Sequence, residues 1–309
     1  MITMDTNREN LWSVRERILG YLFLMPLLTV LLIFCFCPIL YSFVLSFYRI
    51  VLSLPGLGET FVGLDNYREL LRDPVAVKSL KVTLLFVAVS TILEISLGLF
   101  IAIVIHENFR GRGLVRAAIL VPWAIPTVVA SQLWRFAFND QYGMVNYILF
   151  GPDVIHYQAW LASPFWASTA IIIADVWKTS SFAALVILAG LQTIPDELYE
   201  AASIDGANRF QRFVSITLPL LKSSILLAFV FRTMDAFRVF DLVYVMTQGG
   251  PANSTNVLQF YGYRVLFDQG MIGLGSAVSF IVFLLVFIVS VTYLKLVGTA
   301  LLQKKEAIR

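Results

Sequence analysis

The chain has 309 residues, 59% of them hydrophobic and only 14% charged, and its mean hydropathy is +0.80. A soluble domain carries about a quarter charged residues, so the composition excludes a water-soluble globular protein and points to an integral membrane protein. The formal charge of +3 is too small to suggest nucleic acid as a partner; where the cations lie carries more information than their excess.

A membrane-crossing helix needs about 20 mostly apolar residues, and six runs of the chain qualify. The first is expected at 18–40, after a charged N-terminal segment at 1–17. It is long enough to cross, so an uncleaved first helix is expected and not a signal peptide. Its Pro26 and Pro38 are tolerated in a span. Cys35 and Cys37 lie in the same run, two residues apart and so on nearly opposite sides of a helix. They read as small apolar fillers and not as a disulfide pair.

The further spans are expected at 82–105, at 114–133 with Pro122 and Pro126 inside, at 168–191, at 220–245 and at 273–297, with a tail at 298–309. The connecting stretches 50–81 and 139–167 are too short for folded domains with their own cores. The fold class expected is therefore an all-α integral membrane protein with six transmembrane helices and no soluble domain. His106 and His156 are far apart with no ligand cluster around them, so no metal site is expected.

Lys and Arg set the orientation. With the N-terminus inside, thirteen cations fall on inner segments, from Arg8 to Arg309, against six on outer ones, among them Arg49, Lys78 and Arg264. The distribution places both termini and the loop at 192–222 in the cytoplasm. No Gly-x-x-x-x-Gly-Lys-Ser/Thr sequence occurs, so ATP is not bound by that route.

Within the loop, Pro195-Asp196-Glu197 suits the first turn of a helix, because Pro needs no donor there and acids favour the positive end of the dipole. Glu200, Ala201 and Ala202 carry the helix on, and Gly206 can end it in a left-handed cap. Phe210, Phe213, Val214 and Ile216–Leu218 then predict a second, amphipathic helix, stopped or kinked at Pro219. Two short helices hinged at a glycine outside the bilayer would make a rigid knob for another protein to grip.

Ionisable residues inside a span are expensive and mark function by default. One cluster is Trp177-Lys178-Thr179-Ser180-Ser181-Phe182 in the fourth span; another is Arg232, Asp235, Arg238 and Asp241 in the fifth. Read as one helix, Asp235, Arg238 and Asp241 fall at i+3 steps along one side and can pair in turn. At 1.5 Å per residue both clusters come out between the midplane and the outer half of a core about 30 Å thick, where they can line a shared wet cavity or simply tie helices together. Trp177, Phe182, Phe237 and Phe240 lie among them. Aromatic faces beside charged groups suit sugar rings, and equally suit ordinary packing. Glu94 and Asp175 read as structural partners of these charges. Thr247 to Thr255 reads as a tight external turn.

From about Leu80 to Leu296 the chain resembles the sugar permeases of carbohydrate-uptake ABC transporters, the class of the maltose transporter's larger permease. The matching stretches are Leu120-Val121-Pro122-Trp123-Ala124-Ile125-Pro126, the Glu200 to Pro219 loop and Thr247 to Pro251. The resemblance implies a type I importer permease fold with cytoplasmic coupling helices, and places Glu200, Ala201, Asp205 and Gly206 against an ATPase subunit. It also implies substrate contacts at Lys178, Thr179 and Phe182 in the fourth span and at Asp235, Ala236, Arg238 and Val239 in the fifth. Maltose permeases have amides and apolar groups where this chain has Lys178, Asp235 and Arg238. Asp175 to Lys178 and Asp235 to Asp241 look closer to the trehalose-uptake permease of mycobacteria.

The expectation is a non-catalytic permease subunit of an ATP-driven importer in the bacterial inner membrane, moving trehalose or a related disaccharide. It would work with a second, similar permease, two ATPase subunits that hold the ATP and Mg, and an extracytoplasmic sugar-binding (lipo)protein. This chain itself would carry no cofactor. Glycerol-phosphate or another polar solute is the rival cargo, with Lys178 and Arg238 as the grip. An ion-coupled secondary transporter using Asp235 and a membrane-embedded enzyme are the rival classes; no convergent nucleophile or metal constellation favours the last.

Overall fold

The computed structural model describes residues 6–52 and 58–306. In chain order the helices are α1 (Thr6–Leu31), α2 (Cys37–Leu45), α3 (Asp65–Arg72), α4 (Pro74–His106), α5 (Arg112–Ala124), α6 (Thr127–Ala137) and α7 (Met144–Phe150). They continue as α8 (Pro164–Leu191), α9 (Asp196–Ile204), α10 (Arg209–Arg212), α11 (Leu218–Ala236), α12 (Asp241–Met246), α13 (Leu258–Tyr263) and α14 (Ile272–Glu306). Tyr48–Arg49 (β1) and Thr60–Phe61 (β2) form a two-residue antiparallel ribbon, with Tyr48 opposite Phe61. Of the cations used above for orientation, Arg309 lies outside the described residues.

The core of the bundle is α4 against α8, with α11 laid across both. The buried positions of α4 include Thr83, Val87, Ser90, Glu94, Gly98, Ala102 and Ile105, which recur every three to four residues and so form one face. Its partner face on α8 is built from small residues, among them Ala170, Ala174, Ala183 and Ala184. Without water to drive helices together, close backbone packing has to do it. Gly98 is where the approach is tightest: a Cβ there would stand 2.7 Å from the Cβ of Ala183 and 3.0 Å from the backbone N of Ala184. The first span, Ile18–Leu45, lies outside this core with its side chains uncovered, and only α2 packs, against α14.

Several helices depart from the expected bounds, and three of these departures shape the bundle. α4 starts eight residues earlier than 82, because Asp73 Oδ1 accepts from the Val75 N–H at 2.8 Å and Pro74 opens the first turn. Asp73 Oδ2 also accepts from the Tyr261 hydroxyl at 2.6 Å, and burial together with this carboxylate raises that phenol above its ordinary range. The third run is not one straight helix: α5 and α6 meet at 93° across Ile125 and Pro126. The run expected at 220–245 ends as a helix at Ala236, and α12 starts anew at Asp241. The segment between, Phe237-Arg238-Val239-Phe240, contains neither Gly nor Pro. Asp241 is therefore not on the same helical side as Asp235 and Arg238; the i+3 series stops at Arg238.

The stretch 139–167 is not featureless either. It folds around buried Asn146, whose amide N donates to the carbonyls of Asn139 and Gln158 and whose oxygen accepts from the Gln158 N–H and, at 2.8 Å, from Trp160 Nε1. The turn after α12 is tight, as expected. Gln248 and Gly249 have φ of 50° and 81°, and the Thr255 hydroxyl donates to Gly250 O at 2.7 Å.

Candidate functional site

Helices that stop inside a bundle leave carbonyls and polar side chains without their ladder partners, and transporters place solute sites at such interruptions. Both interruptions here open onto one cavity of about 160 Å³. Trp123 and Thr127 come from the α5–α6 corner, Asp175, Lys178 and Thr179 from α8, and Arg232, Asp235 and Ala236 from the end of α11. Arg238, Val239 and Phe240 from the unwound segment and Asp241 and Leu242 from the start of α12 complete it.

Six of the seven substrate positions read from sequence thus meet in one place: Lys178, Thr179, Asp235, Ala236, Arg238 and Val239 all line the cavity. Phe182 does not. It lies one turn along α8, stacked on Trp123 at 5.9 Å between ring centroids and edge-on to Phe231. Trp123 and Phe240 are the aromatic rings that line the cavity. Trp177 packs edge-on against Trp134 at 5.6 Å instead, and Phe237 is buried in the core.

The charges are ordered by Arg232, which is 4% exposed. Its Nε and Nη2 donate to the two oxygens of Glu94 at 2.6 and 3.0 Å, and its Nη1 donates to Asp235 Oδ2 at 2.6 Å. Nη2 also lies 3.8 Å from Asp175 Oδ2, an oxygen that accepts no hydrogen bond from the described residues. The other oxygen of Asp235 is 3.6 Å from Arg238 Nη2. Lys178 Nζ donates to the Trp123 carbonyl at 3.3 Å, one of the last carbonyls of α5, left without a helical partner by the bend. Ser181 donates to Ile119 O at 2.6 Å and ties α8 to the same helix. The cavity therefore presents half-exposed Asp235, buried Asp175 and two cations between two aromatic rings: acceptors, donors and apolar faces together.

A second candidate surface lies at the far end of α8 and α11. There α9 ends in a Schellman motif, with Gly206 N–H to Ser203 O at 3.1 Å and Ala207 N–H to Ala202 O at 2.9 Å. Gly206 takes φ +81°, as that motif requires. Asn208 and Gln211 cap α10 reciprocally, and Arg212 donates to Ser203 Oγ at 2.7 Å across the hinge. Glu200, Ala201, Asp205 and Gly206 are all exposed here. So are Ile204 (87%) and Phe210 (74%), apolar side chains of the knob that the family resemblance had not singled out. Pro219 does not stop the second helix. A π-helical turn over Phe213–Thr217, with Leu218 N–H bonded to Phe213 O, absorbs the missing donor, and Arg209 to Ala236 is one unbroken helical stretch.

The comparisons with known proteins agree with this architecture. Residues 94–299 match the family described as binding-protein-dependent transport system inner membrane component. The trehalose/maltose transport system permease protein MalF of Thermococcus litoralis is 45% identical, over 94% of this chain and 98% of its own length. The trehalose transport system permease protein SugA of Mycobacterium tuberculosis is 38% identical, over 92% of this chain and 90% of its own. Among solved structures, a bacterial ABC transporter involved in the import of the acidic polysaccharide alginate superposes with a TM-score of 0.79 at 23% identity, covering 94% of this chain and 99% of that one. The fold is that of type I ABC importer permeases. With helices this apolar and a match over two thirds of its length, the chain belongs to the binding-protein-dependent transport system inner membrane component family, as a multi-pass permease.

Proposed function

We propose that the chain is the transmembrane subunit of an ATP-driven importer of a disaccharide, trehalose being the first choice. The observation that carries this reading is the convergence of Lys178, Asp235 and Arg238 with Trp123 and Phe240 on one cavity at two helix breaks. Sugar hydroxyls both donate and accept. Asp235 accepts from them, Lys178 and Arg238 donate to them, and the rings cover the apolar faces of the sugar. The relatives named for trehalose and maltose support the choice of solute.

A cavity of about 160 Å³ is smaller than the roughly 300 Å³ at which ligand pockets begin. It is half of a cleft, and a second, homologous permease supplies the other half. Two ATPase subunits hold ATP and Mg, so this chain carries no cofactor and is not itself an enzyme. A binding (lipo)protein delivers the sugar from outside. The knob at Glu200–Gly206 docks into an ATPase cleft, which places it and both termini in the cytoplasm of the cell. When the ATPases close on ATP, the knobs of the two permeases move with them, and the helices exchange outward for inward access.

The assembled complex in proteoliposomes is expected to take up radiolabelled trehalose only with ATP, binding protein and both ATPases present. Uptake by this chain alone, or uptake driven by an ion gradient without nucleotide, would refute the reading.

A further inference from the structure

Glu94 is fully buried on α4 and does not line the cavity, yet it takes two of the three nitrogens of Arg232, which does. We infer that Glu94 is a positioning residue that sets which solute charge the pocket accepts. This rests on the reading of the cavity as the solute site given above. The bidentate bond both orients Arg232 and cancels its charge. One guanidinium nitrogen, Nη1, is left to hold Asp235 at 2.6 Å, and Asp175 stays at 3.8 Å with its oxygen uncommitted. Asp235, half exposed, therefore faces the cavity as an acceptor for hydroxyl groups, while the uncommitted oxygen of Asp175 is buried behind it. With Arg232 cancelled by Glu94, the two aspartates balance Lys178 and Arg238 on the cavity wall.

Without the carboxylate of Glu94, Arg232 is a buried cation shared by two aspartates. It is free to close on Asp175 and loosen its hold on Asp235, and its charge reaches the cavity. A neutral sugar loses and an anionic sugar gains. Arg232 is buried, so its charge is screened less than a surface charge would be.

The test is equilibrium binding of radiolabelled trehalose and of trehalose 6-phosphate to the purified permease–ATPase complex. Leaving out the binding protein keeps its own selectivity from entering, and the ratio of the two Kd values cancels differences in folded yield. Glu94→Gln keeps the shape and removes the charge; the ratio is expected to move toward the phosphate by about tenfold, equal to about 1.4 kcal/mol. Arg232→Gln strands the Glu94 charge instead and is expected to move the ratio the other way; it decides the matter should Glu94→Gln fail to assemble. A purely architectural Glu94 would lower yield and leave both ratios where they were. Trehalose binding with unmoved ratios, or with both variants shifting in the same direction, overturns the inference alone. A wild-type complex that binds no trehalose overturns the solute-site reading and the inference with it.

Discussion

Asp235 stands at the last turn of α11 with one oxygen on Arg232 and the other facing Arg238, its side chain still 56% exposed to the cavity. A carboxylate fixed from behind and open in front is a pre-oriented acceptor, and little ordering entropy remains to be lost when a hydroxyl arrives. Asp235→Ala is expected to raise the half-saturating trehalose concentration roughly ten- to a hundredfold, the worth of a hydrogen bond to a charged group, and to alter the ranking among disaccharides. Uptake measured over a panel of labelled sugars checks this, and an unchanged ranking would reduce Asp235 to a tie between arginines. That these charges need partners was legible in the sequence, because a charge inside an apolar run has to be explained. Glu94 and Asp175 were readable as structural partners, and both do stand beside Arg232; which charge each would meet was not readable. Glu94 and Arg232 are 138 positions apart, and nothing local in either segment names the other.

At the scale of elements, the sequence spoke clearly where the backbone needs a special residue and stayed silent where it does not. Gly206 was readable as a helix end because a Schellman cap needs φ > 0, and φ is +81°. The bend at Pro126 has a cause visible in the sequence, yet prolines are common enough in spans that Pro122 and Pro126 did not mark a break in the run expected at 114–133. The break at Phe237–Phe240 carries no mark at all, since tertiary packing against α6 and α8 re-aims α12 without Gly or Pro.

The cap gives a sharp prediction. The space around Gly206 is open, so a side chain there meets strain and not crowding. Gly206→Val is expected to cost about 1–3 kcal/mol of local strain and to abolish uptake, while the binding protein still captures sugar. Gly206→Asn, which tolerates the left-handed region, is expected to keep most of the transport. Equal transport by both variants, measured in the same vesicles, would separate the cap from docking.

For the whole molecule, the helical membrane fold class followed from hydropathy, because a chain cannot hide long apolar runs in water. Against the six runs expected, five helices are long and apolar enough to cross, or six if the bent α5–α6 pair is one span. What hydropathy could not place was depth: α8 extends four residues beyond its expected outer end, to Pro164, so Lys178 sits about 21 Å along the helix at 1.5 Å per residue. Orientation still rests on the cations, with thirteen on one side and six on the other. A reporter fused after Arg309 is therefore expected to be active when it requires the cytoplasm and silent when it requires export. The opposite pattern would turn the Glu200 knob away from any ATPase.

The π turn at Phe213–Thr217 has a mechanical consequence. Because it lets the helix pass Pro219 without interruption, the 28 residues from Arg209 to Ala236 form one continuous helical stretch about 42 Å along its axis. One tip of that stretch is the foot of the Glu200 knob and the other carries Arg232 and Asp235. A displacement at the foot is expected to be carried along continuous helix to Asp235, and the first break in the helical ladder beyond it is Phe237–Phe240 on the cavity wall.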